Sequence, residues 1–450
     1  MTDSSPTTQF GFTRKSWLRA AREGGWVLTG QIAVAVTGLI GIRLITELAP
    51  KEVFGEAALI LGILTLCRNF FVSPIANAQL RFHPDYAHLG RGKWFMARIS
   101  TLIWNGTLLM TLIGAVVYFV WRGVTGAPID PTLLLVLAFS VVVETARSIR
   151  QNRLSAERRQ SAAALWSSVE SILVIVASIV ALKLSPTVES YFIGMVAGSA
   201  VAFVIFGVVF HPKIAEDKQT RGEETAREFR TRVIRYGAAF VMMAVLGWIL
   251  NVSDRYILAK FRDVAVVGVY AAAYGLASRP FLMVASFSAG FVRPVIFQAE
   301  SVGDTARAKR VFRLSILFTT GVCVAGVIAI SLLGKIIARV LLAPAYRADA
   351  PAIFVWVGAA YTFYAITTLF EIRLMALRTP GKLVVPIAVA AVSNACLNIY
   401  FIPHFGTVGA AATSAMAFFL QLATIAAVSR SRQHTASPPV SLTIAHRSSR

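Results

Sequence analysis

The sequence predicts an all-α polytopic membrane protein, and three observations predict it. Its 450 residues are 56% hydrophobic and 15% charged, with a mean hydropathy of +0.67, which lies outside the soluble globular range. Apolar runs long enough to cross a hydrocarbon core, about 20 residues for a helix, recur over 26–47, 54–76, 97–120, 132–152, 163–184, 188–210, 234–256, 265–291, 312–333, 351–374, 383–402 and 407–428. The polar connections between these runs alternate between basic and charge-poor. The spans are expected to be helices, because backbone groups in lipid need partners within their own segment, and the period-two pattern of a membrane barrel is absent.

The alternation of charge gives the orientation. One set of connections carries clusters such as Arg14, Lys15, Arg19 and Arg22 before the first run, and Arg147, Arg150, Arg153, Arg158 and Arg159 after the fourth. The intervening set carries Lys51, then Arg122, then Lys183. By the positive-inside rule the basic set is cytoplasmic, which places both termini inside and makes the number of spans even. A net charge of +22 would suggest nucleic acid in a soluble chain. Here the charges lie in short loops beside apolar spans, where topology and anionic headgroups account for them, so the bilayer and not nucleic acid is the expected partner.

Five regions follow: a basic N-terminus over 1–23, a first six-span lobe over 24–210, a linker over 211–233, a second six-span lobe over 234–428, and a disordered tail over 429–450. Residues 10–22 read either as an interfacial helix or as a disordered tail. The first apolar run is too long for a signal-peptide core and lacks a cleavage site, so it is expected to remain as a span. Cys67, Cys323 and Cys396 fall in apolar runs without CxxC spacing, and the six histidines lie in connections or tails. No metal, cofactor or nucleotide-binding loop is expected, and no enzymatic activity. The halves also echo each other. Arg43-Leu-Ile is followed 12 residues later by Gly55, and Arg255-Tyr-Ile 13 residues later by Gly268; Arg68 and Arg279 lie 13 and 11 residues further on. Six spans return the chain to its starting side, so such halves would be related by an axis along the membrane normal.

Three stretches carry a resemblance. IRLITELAPKEVFG over 42–55, NVSDRYILAKF over 251–261 with VGVYAAAYGLA over 267–277, and QNRLSAERR over 151–159 resemble the polysaccharide transporters. These are the oligosaccharide-lipid flippases of the multidrug/oligosaccharidyl-lipid/polysaccharide exporter superfamily. With the hydropathy layout, the resemblance covers about residues 24–428. It implies two lobes around a central cavity that opens alternately to either side of a bacterial inner membrane. It also implies a polyprenyl-diphosphate-linked sugar cargo bound for O-antigen, capsule or exopolysaccharide, with a polysaccharide polymerase and chain-length machinery as partners. The external charges near Arg255, Lys260 and Arg262 depart from the family pattern.

An ionised side chain at membrane depth costs at least ~2.5–3.5 kcal/mol and therefore faces a cavity or a partner. Arg68 and Arg279 are such residues, and guanidinium groups present paired donors to a diphosphate. The expectation is that they face each other across the cavity and hold the headgroup; the alternative is that each satisfies carbonyls between packed helices. Glu144 with Arg147, and Arg43 with Glu47, have the spacing of local ion pairs. Arg147 and Arg150 continue one face toward an inner vestibule, while Arg43, Asp254, Arg255 and Lys260 form an expected external gate. Glu170, Glu371 and Glu144 are the embedded carboxylates available for ion coupling, with Arg373 or Arg378 as a local partner for Glu371 in the structural reading. Asn69, Ser73 and Asn77, and likewise Asn394 and Asn398, repeat every four positions, a pattern suited to sugar hydroxyls or to helix–helix hydrogen bonds. Pro280 and Pro294, with Gly275 and Gly290, mark places to bend.

Two rivals remain. A cation-coupled drug exporter of the same superfamily should show embedded carboxylates outnumbering embedded cations, and the reverse holds. A polysaccharide polymerase or ligase should carry a large external loop, whereas the longest outer connection covers about 334–350.

Overall fold

The fold is seen in a computed structural model, which describes residues 14–125, 130–157, 159–210, 224–377 and 379–430. Every regular element among these residues is helical: α1 (Arg14–Leu48), α2 (Lys51–Phe71), α3 (Ser73–His88), α4 (Gly92–Thr125), α5 (Pro131–Ala156), α6 (Gln160–Leu184), α7 (Val188–Val209), α8 (Ala226–Phe261), α9 (Val264–Ser301), α10 (Thr305–Leu341), α11 (Ala350–Ala376) and α12 (Val384–Arg430), with short 3₁₀ turns at Pro344–Tyr346 and Pro380–Leu383. Eleven of the helices are long and apolar enough to cross a membrane, and the protein is a multi-pass membrane protein. The polar residues of the connections set where helices begin. Asp130 caps α5 by accepting from the backbone N–H of Thr132 at 2.8 Å, followed by Pro131 at a position where no donor is needed. Thr225 and Glu228 close a capping box on α8.

The long α12 holds two passes. At Gly406 the backbone takes φ +56° and ψ −132°, in the region that favours glycine, just after Pro403. Thr413 Oγ1 donates to Asn398 Oδ1 at 2.5 Å, although 15 residues of straight helix would separate them by about 22 Å. The chain must reverse between them, and the predicted spans 383–402 and 407–428 are the two arms of this hairpin. Twelve passes are thus present. One predicted boundary is corrected: span 54–76 ends at Phe71, where Val72 and Pro74 start a separate helix, α3. Residues 1–13, most of the linker at 211–223, Arg158 and the tail from 431 lie outside the described residues. The helix from Arg14 runs unbroken into the first span.

The α1–α7 half and the α8–α12 half touch at both ends of the bundle. At the charge-poor end, Gly55 and Gly268, each the fifth residue of its helix, bring the α2 and α9 backbones into direct contact. A Cβ on Gly55 would stand 2.0 Å from the Val264 carbonyl oxygen, and one on Gly268 2.1 Å from that of Lys51. Around this crossing Tyr346 Oη donates to the Ala49 carbonyl at 2.9 Å, and Tyr256 Oη and Trp248 Nε1 donate to the Leu59 and Gly62 carbonyls at 2.7 and 2.8 Å. The two echoing glycines of the sequence are thus one contact in space. At the basic end, α3 and α8 close through rings: Tyr236 lies 5.2 Å from Phe82, and Phe229 packs edge-on against Tyr86, Trp94 and Phe95. Tyr86 Oη also donates to Glu224, which pairs with Arg232. Burial and this carboxylate push the Tyr86 hydroxyl up to about 12, so it stays protonated and keeps donating through neutral pH.

The outer surface is apolar, as at Leu314, Leu317, Phe318 and Leu332 of α10, which presents these side chains to lipid. Gly268→Val is expected to hold α2 and α9 apart. The result should be greater labelling of a cysteine placed on the α9 face of α2 by a membrane-impermeant thiol reagent from the charge-poor side. Unchanged labelling would show that the crossing does not seal that end.

Candidate functional site

Three embedded polar sites emerge, built from different helices. In the first, the last turn of α2 and the middle parts of α5 and α6 bring four charges together. Arg147 chelates Glu144 through Nη2 at 2.5 Å and Nε at 2.9 Å, and holds Glu170 through Nε at 3.1 Å. Arg68 forms an ion pair with the same Glu144. Arg147 Nη1 also donates to Gln151 at 2.6 Å, Gln151 donates to Ser167 at 3.3 Å, and Ser199 hydrogen-bonds to Glu170. Two guanidiniums and two carboxylates cancel, which is what permits four ions at this depth. Arg68 and Glu144 open onto a cavity of about 190 Å³ that also meets Thr65, Ser140, Thr145, Phe192, Met195 and Ser199.

The second site lies in a more open cleft of about 540 Å³ between α1, α6 and α9, lined by Gln31, Gln160, Ser167, Arg279, Met283 and Ser286 among others. Arg279 is about 22 Å along α9 from its charge-poor end. Its guanidinium packs on Gly38 of α1, where a Cβ would stand 2.3 Å from Nη1, so α1 admits the side chain only because that residue has none. Nη1 has no hydrogen-bond partner, and no carboxylate pairs with Arg279 among the described residues.

The third site is a buried column inside the α8–α12 half. Tyr270 Oη donates to Asp254 Oδ2 at 2.5 Å, and Asp254 Oδ1 accepts the Arg255 backbone N–H at 2.8 Å. Asn398 Nδ2 donates to Asn394 at 2.8 Å, and Tyr274, Tyr361 and Phe418 extend the column as rings 5.7–5.8 Å apart.

Against the sequence expectations, the two embedded arginines do not face each other: Arg68 and Arg279 open onto different cavities. Arg147 and Arg150 also part, since Arg147 turns inward to the carboxylates while Arg150 crosses to α7 and stacks on Phe203 at 4.3 Å. Of the expected external gate, Arg43 pairs with Glu47 at 3.4 Å and Lys260 is exposed, but Asp254 is buried at 2% exposure within the helix core and lines no opening. Arg255 lies beneath Tyr274. Glu170 and Glu144 are engaged by arginines, whereas Glu371 has no ion pair among the described residues; Arg373 lies over Phe312 at 4.7 Å, and Arg378 is outside the described residues. Ser73 Oγ bonds to Asn69 at 3.2 Å, but the stripe is split at Val72, so Asn77 belongs to α3. The Asn394 and Asn398 pair serves helix packing inside the α12 hairpin. Tyr270, Thr413, Gln151 and Ser199 were not singled out by sequence. Gln151 alone carried a signal, four residues beyond Arg147 on the same helical face.

The chain matches, over residues 20–300, the family described as polysaccharide biosynthesis protein. It belongs to that family. Solved structures with the same fold include a lipid II flippase, MurJ, in an inward closed conformation, with TM-score 0.70 and 16% identity over 91% of this chain and 87% of that one. A multidrug resistance transporter of the MATE family, inward-facing, gives TM-score 0.67 and 12% identity over 91% of this chain and 100% of that one. A transporter of the same superfamily from Pyrococcus furiosus gives TM-score 0.60 and 14% identity over 92% and 95%. No curated protein matches the sequence. The fold of this family member is therefore that of the superfamily's transporters and flippases.

Because Arg147 alone holds two embedded carboxylates, Arg147→Met is expected to destabilise the protein by about 3–5 kcal/mol, the cost of stranding buried partners. Thermal unfolding in detergent would show it, with most of the loss recovered by adding Glu144→Gln and Glu170→Gln. A variant as stable as the parent would contradict the assignment.

Proposed function

We propose that this protein is a secondary transporter that flips polyprenyl-diphosphate-linked oligosaccharide units across the bacterial inner membrane by alternating access, in the assembly of O-antigen, capsule or exopolysaccharide. The observation that carries this reading is Arg279, an embedded cation with no acidic partner among the described residues, facing a cleft between α1, α6 and α9. Such a group has been left available for an anion, and a diphosphate with its paired oxygens suits a guanidinium. The cleft opens between helices, which suits a cargo whose polyprenyl tail stays in the lipid while its headgroup enters.

Arg68 supplies the second contact, in the cavity shared by Thr65, Ser140 and Ser199, whose hydroxyls match sugar and phosphate oxygens. Arg147 acts behind it by holding Glu144, while Asn69, Asn77 and Arg150 are outside the lining of that cavity. In this reading Arg279 takes the headgroup first and Arg68 after the cleft closes, because they belong to separate cavities. The charge-poor end, sealed at Gly55 and Gly268, is the periplasmic exit, and the basic end with both termini is cytoplasmic. Polymerase and chain-length machinery act on the product. A drug exporter would need an anionic binding site, whereas the four embedded charges of the α1–α7 half sum to zero and the charge that lines the cleft between α1, α6 and α9 is the cation Arg279.

In a strain lacking this protein, lipid-linked repeat units should accumulate on the cytoplasmic leaflet. Arg279→Ala and Arg68→Ala should each fail to relieve that accumulation, with export lowered by about tenfold or more, the scale of one lost charge-assisted contact. Normal export from the Arg68→Ala, Arg279→Ala double variant would defeat the proposal.

For ion coupling, Glu371 is the candidate favoured by its lack of an ion pair, since Glu144 and Glu170 are already neutralised. Glu371→Gln should abolish the response of transport in proteoliposomes to an imposed proton or sodium gradient. A full response in that variant would remove Glu371 from the mechanism.

A further inference from the structure

Glu144 stands between two arginines on unequal terms. Arg147 grips both of its oxygens, with Nη2 at 2.5 and 2.6 Å from Oε1 and Oε2, and is itself anchored to Glu170 and Gln151. Arg68 touches it on the cavity side, and no other carboxylate pairs with Arg68 among the described residues. Arg68 and Glu144 are both partly exposed to the cavity, at 39% and 31%, while Arg147 is shielded at 18%. An anion entering the cavity therefore meets Arg68 already paired, and can engage it fully only by taking Glu144's place. Glu144 has somewhere to go, because Arg147 holds it independently of Arg68.

We propose that Glu144 is an internal stand-in for the cargo's phosphate. Without cargo it neutralises Arg68, so the empty carrier passes through its closed form without a bare guanidinium in a dehydrated cavity. With cargo it withdraws onto Arg147, and the phosphate takes over Arg68. The exchange conserves charge at Arg68 in both forms, which is what an alternating carrier needs if it is to return empty. Glu144 is thus a positioning residue for Arg68 and sets how tightly the headgroup is held. This inference rests on Arg68 being a headgroup contact.

The test uses the full chain in lipid nanodiscs with geranylgeranyl diphosphate as the probe. Glu144→Gln is expected to bind the probe about tenfold more tightly than the parent, since it removes a competitor for one charge-assisted site. In an Arg68→Gln background the same change should add less than about twofold, a coupling that a general change of field would not produce. Glu144→Asp keeps the charge and can stay on Arg147 while losing reach toward Arg68, so it too should tighten binding. In proteoliposomes, Glu144→Gln should slow net efflux about tenfold while exchange of labelled for unlabelled probe persists, because only the empty return requires the stand-in. Unchanged or weaker binding in both Glu144 variants overturns the proposal, as does a gain that survives without Arg68 or a parallel loss of efflux and exchange. Parent-like binding by Arg68→Gln would instead sink the headgroup assignment on which the proposal stands.

Discussion

The double grip of Arg147 on Glu144 and Glu170 is the interaction on which the interior of the α1–α7 half depends. Lipid offers no water to a charged group, so an embedded charge needs either a partner or a cavity to face. Arg147 provides that partner from α5. It lets Glu170 sit on α6 and Glu144 face the cavity, and through Glu144 it lets α2 carry Arg68. Without this arginine Glu170 would lose its ion pair and Glu144 would keep only Arg68.

The other half solves the same problem with neutral donors. Tyr270 donating to Asp254, Thr413 to Asn398 and Asn398 to Asn394 place short hydrogen bonds where the first half has ion pairs. Arg279, on α9 but seated against Gly38 of α1, lies on the boundary between the halves. With no acidic partner among the described residues, it puts an unpaired cation at the seam of the two halves. The seams at either end differ as well. Backbone contact at Gly55 and Gly268 makes the charge-poor seal depend on the absence of side chains, whereas edge-on and tilted rings and the Tyr86–Glu224–Arg232 linkage close the basic end.

Much of the fold was legible in the residues. Apolar length and backbone self-sufficiency gave the twelve passes. The one span that was overdrawn, at 54–76, failed where hydropathy is blind: a valine and a proline change helix direction without interrupting the apolar run. For the site, embedded arginines and glutamates were visible because ions are rare at that depth, and the Arg43–Glu47 and Glu144–Arg147 spacings pointed correctly to local pairs. The pairing of Arg68 with Glu144 was not visible, since 76 residues and a helix hairpin separate them. Nor was the depth of Asp254, which hydropathy places near a helix end and packing places in the core.

By itself the sequence determined the class, the number of passes and which residues carry charge into the membrane, because each follows from local composition and the cost of ions in lipid. Only the tertiary structure decided which charge meets which. Helices from distant parts of the chain choose their neighbours through packing, and packing put Glu144 on Arg68 while leaving Arg279, beside a glycine, without an acidic partner among the described residues. That assignment separates a neutralised arginine from an available one, a distinction that spacing along the chain does not contain.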